Sequence, residues 1–293
     1  MTTSATTVST STTQSRPSWL DAKTLLALFI TLILVVGEVS YGVVGGFEKL
    51  ALTLGTCVVV ELALSRWLTG KSGSLQSAYI SGISLVLLVR PQSGLVWPFV
   101  VGAALSIGSK FVLRYRDRHL FNPSNFGIAV LLLLAPSRVA LLSHELGNDI
   151  LVNGVIWIVG LLVVSRARVL HVTLAYVGSF LVLAAARSAI TGAPLVAEIA
   201  PVTGPMYQLL ALFMLTDPRT TVSRRGGRML VVAIVALVEA AIRLGNDFDL
   251  AWASIFAPAP PILALFVVGP IALVIDLRRT RAAKLRDQGA PSA

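Results

Sequence analysis

Long apolar segments alternate with short polar connections along almost the entire chain. A membrane-crossing helix needs about 20 residues at 1.5 Å per residue, and ten segments approach or reach that length. The third and eighth are short, which predicts discontinuous or partly re-entrant segments surrounded by protein or by a cavity. The ten predicted spans cover residues 23–44, 48–69, 77–90, 94–114, 121–142, 150–165, 168–187, 204–217, 227–245 and 256–277.

The composition identifies the class of protein as integral membrane. Hydrophobic residues make up 55% of the chain and charged residues 13%, and the mean hydropathy is +0.82. The net charge of +10 does not indicate a nucleic-acid partner, because the positive residues flank apolar spans and so indicate contact with membrane lipid. The single cysteine, Cys57, excludes an internal disulfide and any cluster ligated by several cysteines.

The distribution of positive charge orients the predicted spans. With ten crossings, both termini and the even-numbered connections share one side, which carries 19 of the 24 Lys and Arg residues against 5 on the other. The positive-inside rule then places both termini in the cytoplasm, and the protein in the cell membrane as a multi-pass protein. The five on the other side are Lys49, Arg90, Arg138, Arg187 and Arg243.

Two terminal regions differ from the membrane domain, which is predicted to cover residues 23–278. Residues 1–22 form a Thr/Ser-rich segment without an apolar face, which predicts a disordered cytoplasmic tail. Residues 279–293 form a basic cytoplasmic tail suited to anchoring the topology and to binding anionic lipid.

The order of features in the two halves of the membrane domain, about 23–142 and 150–277, predicts an internal repeat. LLVRP, ending at Pro91, corresponds to MLTDP, ending at Pro218, and each closes a short span. A full helix, a loop and a proline-containing helix follow in both halves. Five spans per half require opposite insertion of the two copies, and such inverted repeats form a site or pathway near the bilayer midplane.

A basic loop followed by a helix start is the most distinctive local feature. Asn122 is a good N-cap and Pro123 suits the first helical position, so a helix is predicted to begin here. Its free N–H groups would face the preceding basic loop, where an anion can bind. The other interpretation is an ordinary membrane helix with a cytoplasmic basic flank.

Three glutamates within or at the ends of spans are costly to bury and are therefore paired or functional. Glu239 has Arg243 one turn away, which predicts a structural ion pair. Glu61 lies near the cytoplasmic boundary and is expected to extend to the surface. Glu38 has no basic residue within one turn and is the candidate for contact with a proton or cation on an ion pathway.

Two segments carry a family resemblance. KFVLRYRDRHLFNPSNFGIAVLLLL and LFMLTDPRTT resemble the two signatures of the NqrB/RnfD family, the membrane subunits of the Na+-NQR and Rnf redox complexes. The match runs from about residue 23 to 278. The run TGAPLVAEIAPVTG, Thr191 to Gly204, is similar to a short stand-alone branch, the UnbU-like proteins labelled as enediyne biosynthesis proteins.

The resemblance implies a urea-transporter-like fold of ten helices in two five-helix inverted repeats, and it implies a flavin. Family members esterify FMN to a threonine on the extracytoplasmic side and can also bind riboflavin without a covalent link. Here Pro194 stands at the position of the acceptor threonine, and proline has no hydroxyl, so covalent FMN is not expected. A flavin, either riboflavin or FMN, is expected to bind non-covalently near NPSNFG and TDPRTT. The expected contacts are Arg116, Arg118, Asn122, Ser124, Asn125, Thr216, Asp217 and Thr220.

The sequence leaves two classes of function open. The resemblance implies a membrane electron-transfer subunit that couples redox chemistry to cation movement and depends on a partner protein for electrons, without a self-contained catalytic site or a metal. The alternative is a solute channel or transporter on the same scaffold without flavin. Asp217 itself has three open roles: it accepts hydrogen bonds from a flavin ring, caps the following turn, or pairs with Arg219 or Arg224.

Overall fold

The computed structural model describes residues 22–42, 44–141 and 150–289, and the protein within these ranges is mostly helical. The predicted N-terminal tail, apart from residue 22, and residues 290–293 of the C-terminal tail lie outside the described residues. The helices are α1 Ala22–Tyr41, α2 Phe47–Thr69, α3 Leu75–Leu88, α4 Trp97–Val112, α5 Pro123–Leu134, α6 Ile150–Arg166, α7 Leu170–Thr191, α8 Leu195–Ile199, α9 Pro205–Leu209, α10 Arg225–Asp247, α11 Ala251–Ser254 and α12 Pro260–Gly289.

Every predicted span contains a helix, and three helices within the described residues are long and apolar enough to cross a membrane. These are α7, α10 and the part of α12 from Pro260 to Ala283. A fourth candidate is the pair Leu195–Thr203 and Pro205–Met214, which bends by 61° at its break. The protein is therefore a membrane protein by the length and composition of these helices.

Several predicted boundaries need correction. The fifth span was expected to reach residue 142, but α5 ends at Leu134 and a short strand, Val139–Leu141, follows it. The eighth span consists of α9 and a π-helical turn, Leu210–Met214. The predicted basic tail is helical where it is described, because α12 continues to Gly289.

Two small sheets qualify the all-α prediction. Strand β1, Val89–Pro91, pairs antiparallel with β4, Val139–Leu141, so the end of α3 is tied to the segment after α5. Strands β2, Arg114–Tyr115, and β3, Arg118–His119, form a tight hairpin between α4 and α5.

The predicted helix start at Pro123 is confirmed. The Asn122 side chain accepts a hydrogen bond from the backbone N–H of Asn125 at 3.2 Å, which satisfies one of the free donors of the first turn. The glycine of NPSNFG permits close packing of α5 on α4. A Cβ at Gly127 would lie 2.0 Å from Ser106 Oγ and 2.6 Å from the Gly102 carbonyl oxygen.

In both halves of the chain three helices pack in series: α2, α4 and α5 in the first half, and α7, α10 and α12 in the second. In the first half α2 packs on α3 and α4, and α4 packs on α5. In the second half α7 packs on α8 and α10, and α10 packs on α11 and α12. The halves meet where α1 contacts α6 and where α5 contacts α12. One buried apolar cluster runs through both halves.

Candidate functional site

The hairpin between α4 and α5 reaches across to the second half of the chain. Its two central residues, Arg116 and Asp117, have φ angles of 49° and 62°, the left-handed conformation that a tight two-residue hairpin turn requires. This turn directs Arg118 toward the segment after the π-helical turn. The Arg118 guanidinium donates to the carbonyl oxygens of Pro218 at 2.7 Å, Thr221 at 2.6 Å and Arg219 at 3.1 Å.

A second contact joins the two sequence motifs directly. Asn122 Nδ2 donates to Asp217 Oδ2 at 3.3 Å. The other carboxylate oxygen of Asp217 accepts the backbone N–H of Arg219 at 2.9 Å, so Asp217 caps the turn that follows it. NPSNFG and TDPRTT therefore meet at one place, which we call the motif junction and define by Arg118, Asn122 and Asp217.

The other predicted flavin contacts lie around the motif junction and make internal hydrogen bonds. Arg116 Nη1 donates to the Leu277 carbonyl oxygen at 2.9 Å, and Asn125 Nδ2 donates to that of Ile262 at 3.0 Å. These bonds attach the hairpin and the start of α5 to α12. Thr216 Oγ1 donates to the Leu212 carbonyl oxygen at 2.6 Å, Ser124 Oγ lies 3.5 Å from that of Ser81, and the Thr220 N–H donates to that of Asp217 at 3.3 Å.

A cavity of about 780 Å³ opens beside the motif junction. It lies between the ends of α2 and α4, the start of α3, the hairpin and Pro218–Arg219. Its lining includes a buried ion pair between Lys110 of α4 and Glu61 of α2, whose side chains are only 6% and 4% exposed. The expectation that Glu61 extends to the surface is therefore wrong, because Lys110 neutralises it within the protein.

Additional hydrogen bonds fix both charges of this pair. Lys110 Nζ donates to Ser77 Oγ at 3.0 Å, and Glu61 Oε1 accepts the backbone N–H of Ser74 at 3.0 Å. The approach of the 71–74 turn to α2 requires a glycine, since a Cβ at Gly73 would lie 2.7 Å from Glu61 Cγ. A buried pair satisfied in this way avoids the large penalty of an isolated buried charge.

The cavity carries an excess of positive charge. Of the residues that the structure describes, two carboxylates line it, Glu61 and Asp117. Five cations also line it: Lys71, Lys110, Arg114, Arg118 and Arg219.

His119 lies in the cavity lining, and its pKa is sensitive to the neighbouring charges. The His119 imidazole contacts the Lys110 carbonyl oxygen through Nδ1 at 2.8 Å. Burial lowers the pKa of His119, and the charges of Arg219 and Lys110 lower it further, whereas that hydrogen bond and the charge of Asp217 oppose the shift.

A second buried charge cluster lies farther along α10. Arg243 Nε donates to Glu239 Oε1 at 3.0 Å, which confirms the predicted pair within one helix. Tyr176 of α7 donates to Glu239 Oε2 at 2.7 Å, and Arg243 also bonds the hydroxyl of Tyr207. This arrangement leaves no oxygen of the fully buried Glu239 without a donor.

Arg187 joins three elements at the end of α10. Its guanidinium lies 2.6 Å from Glu198 of α8 and 2.8 Å from Asp247 of α10. Pro194, the residue at the acceptor position of the resemblance, precedes α8 directly. The ion pair therefore attaches the segment after TGAP to α7 and α10.

Glu38 has a structural contact. Its Oε2 accepts the backbone N–H of Val44 at 2.7 Å in the connection between α1 and α2. The role of Glu38 on an ion pathway stays a prediction.

The sequence placed Glu61 near the cytoplasmic boundary but did not indicate Lys110 as its partner. Both lie near the ends of spans assigned to the same side of the membrane, and that shared depth was the available signal.

Comparison of the chain with known protein families gives no matching family model, and comparison with curated proteins gives no match.

Proposed function

We propose that this protein is a membrane electron-transfer subunit that binds a flavin, riboflavin or FMN, without a covalent bond. The observation that carries the proposal is the motif junction, where two segments about a hundred residues apart in sequence are held together by Arg118 and by the Asn122–Asp217 hydrogen bond. The resemblance of these segments to the NqrB/RnfD signatures supports a redox role for the junction.

The donors and acceptors around the junction suit a flavin ring system. A guanidinium has five N–H donors, and Arg116 uses one of them on Leu277. Each oxygen of Asp217 accepts one bond and has further lone pairs. When bound, a flavin supplies one- or two-electron transfer, while the protein residues orient it and exclude water from it. Electrons come from a partner protein, and cation movement is coupled to their passage.

The proposed topology has ten crossings in two inverted repeats, with both termini in the cytoplasm. Its support is the 19-to-5 division of Lys and Arg and the similar packing in series of α2, α4 and α5 and of α7, α10 and α12. Reporter tags test it: tags at either terminus should be cytoplasmic, and a tag between residues 191 and 204 should be extracytoplasmic. An extracytoplasmic C-terminus would contradict the ten-crossing topology.

The flavin itself is tested by spectroscopy of the purified full-length protein. We expect flavin absorption in the near ultraviolet and blue, and release of the yellow chromophore into the supernatant after acid precipitation. Flavin that stays with the pellet would contradict the non-covalent proposal. Arg118→Gln should lower flavin content, and Arg224→Gln, on an exposed arginine outside the junction and the cavity, should leave it unchanged.

The second candidate function is a solute channel or transporter on the same scaffold. The observation that favours it is a buried ion pair that lines an open, charged cavity, since such charges in membrane proteins accompany ion or substrate pathways. If purified protein contains no flavin, even after reconstitution with riboflavin or FMN, this function replaces the first.

A further inference from the structure

We propose that the cavity beside the motif junction is a binding site for a phosphate group, carried either by a soluble anion or by the headgroup of an anionic phospholipid. This inference goes beyond the flavin proposal and does not depend on it, because it rests on Lys71 and Arg219, which line the cavity and are not among the expected flavin contacts.

The five cations that line the cavity differ in whether they have a protein partner, and this difference supports a ligand site. Lys110 is neutralised by Glu61, and Arg118 is occupied by backbone carbonyl oxygens. Arg114 lies 3.6 Å from Asp117, a contact exposed to solvent. Within the ranges 22–42, 44–141 and 150–289, the charged ends of Lys71 and Arg219 have neither a hydrogen-bond nor an ion-pair partner. Two cations are thus directed to the same cavity without a protein anion to neutralise them.

The volume and the electrostatic potential of the cavity also support a phosphate site. Its volume of about 780 Å³ lies within the range of small-molecule sites, about 300–1,000 Å³. Burial is the largest cause of the lowered pKa of His119, and the charges of Arg219 and Lys110 lower it further while that of Asp217 opposes them. The lining has five cations against two carboxylates, which gives the cavity a positive potential. An anion with several acceptor oxygens would balance it through charge-assisted hydrogen bonds.

Either source of the phosphate can reach the cavity. Its opening gives a soluble anion access. Trp67 and Leu68, near the end of α2, are 81% and 49% exposed, and tryptophan is enriched at the level of lipid headgroups. A phospholipid with its acyl chains along α2 would place its headgroup close to Lys71.

The experiment measures binding of inorganic phosphate to the full-length protein in detergent by calorimetry, against sodium chloride at equal ionic strength. The double variant Lys71→Gln/Arg219→Gln should bind phosphate about tenfold more weakly, since each exposed charge contributes a few-fold. Arg224→Gln removes an exposed arginine that does not line the cavity, and it should bind like the unchanged protein.

A parallel arm separates the two sources. The same three proteins are placed in nanodiscs of phosphatidylcholine with or without phosphatidylglycerol, and retained lipid is measured by native mass spectrometry. Phosphate binding that depends on Lys71 and Arg219 supports a soluble ligand. Retention of phosphatidylglycerol with that dependence, without phosphate binding, supports a lipid headgroup. Neither binding nor retention, or equal losses in Arg224→Gln, would overturn the proposal; because all three side chains are exposed, unfolding is not expected to confuse the result.

Discussion

The two halves of the chain bury a glutamate in different ways. In the first half Glu61 of α2 is paired with Lys110, which belongs to another helix and is 49 residues away. In the second half Glu239 is paired with Arg243 on its own helix, and the contact across helices comes from the neutral hydroxyl of Tyr176. The Glu61 cluster therefore holds two helices together by opposite charges, whereas the Glu239 cluster joins α10 to α7 and α9 through the neutral hydroxyls of Tyr176 and Tyr207.

This difference determines which helix contacts depend on charge. Removal of Lys110 leaves a buried carboxylate without its countercharge and weakens the α2–α4 contact at the same time. Removal of Tyr176 leaves Glu239 still paired with Arg243. The first cluster also lines an open cavity, whereas Glu239 is fully buried and is not part of that lining.

The largest expected effect is that of Lys110→Met. The carboxylate of Glu61 would stay buried without its countercharge, and loss of one partner of a buried pair costs about 3–5 kcal/mol. The measurement is the free energy of unfolding of detergent-solubilised protein in a denaturant series. The control is the double variant Glu61→Leu/Lys110→Met, which removes both charges and should recover more than half of the loss. A double variant as unstable as the single one would show that packing, and not charge, is responsible.

A smaller effect is expected for Tyr176→Phe. The substitution removes one hydrogen bond to the charged Glu239, a loss of about 1.5–3 kcal/mol in the free energy of unfolding. Tyr79→Phe is the matched control, because its hydroxyl shares a 2.7 Å hydrogen bond with the neutral Thr31 and should cost only about 0.5–1.5 kcal/mol. Equal losses in the two variants would mean that the charge of Glu239 adds nothing.

Local features of the fold could be predicted from the sequence, and features that depend on distant residues could not. Asn122 and Pro123 predicted the start of α5 because capping involves only neighbouring residues. The end of α5 at Leu134 was missed although Pro136 follows two residues later, and the strand after it was not predicted. The strand there forms by pairing with Val89–Pro91, which lies about fifty residues earlier.

The same distinction between local and distant contacts applies to the candidate site. Glu239 and Arg243 are one turn apart, so their pairing could be predicted from spacing alone. The Glu61–Lys110 pair depends on the packing of α2 against α4, and neither residue alone indicates its partner. For Arg118, the sequence predicted a charge near a ligand, but its contacts with carbonyl oxygens follow from the hairpin turn.

Arg118→Gln tests how strongly the hairpin connects the two halves. The variant loses the hydrogen bonds to three carbonyl oxygens in a partly exposed place, for which we expect a loss of about 1–2 kcal/mol in the free energy of unfolding. Arg114→Gln on the same hairpin removes exposed contacts with the carboxylate and the carbonyl oxygen of Asp117 and should change stability by less than about 0.5 kcal/mol. A loss in Arg114→Gln as large as that in Arg118→Gln would contradict a specific contact between the halves.

The smallest effect concerns pH and His119, which contacts the carbonyl oxygen of Lys110. Burial and the neighbouring charges of Arg219 and Lys110 hold the pKa of His119 below its ordinary value of 6.5 in the folded protein. As the pH falls below 6.5, the unfolded chain takes up this proton before the folded protein does, so stability decreases until the lower folded pKa is reached. Unfolding temperatures from pH 7.5 down to pH 5.5 should therefore fall more steeply for the unchanged protein than for His119→Gln, which does not titrate. Parallel curves would mean that burial and the charges of Arg219 and Lys110 do not lower the pKa of His119 in the folded protein.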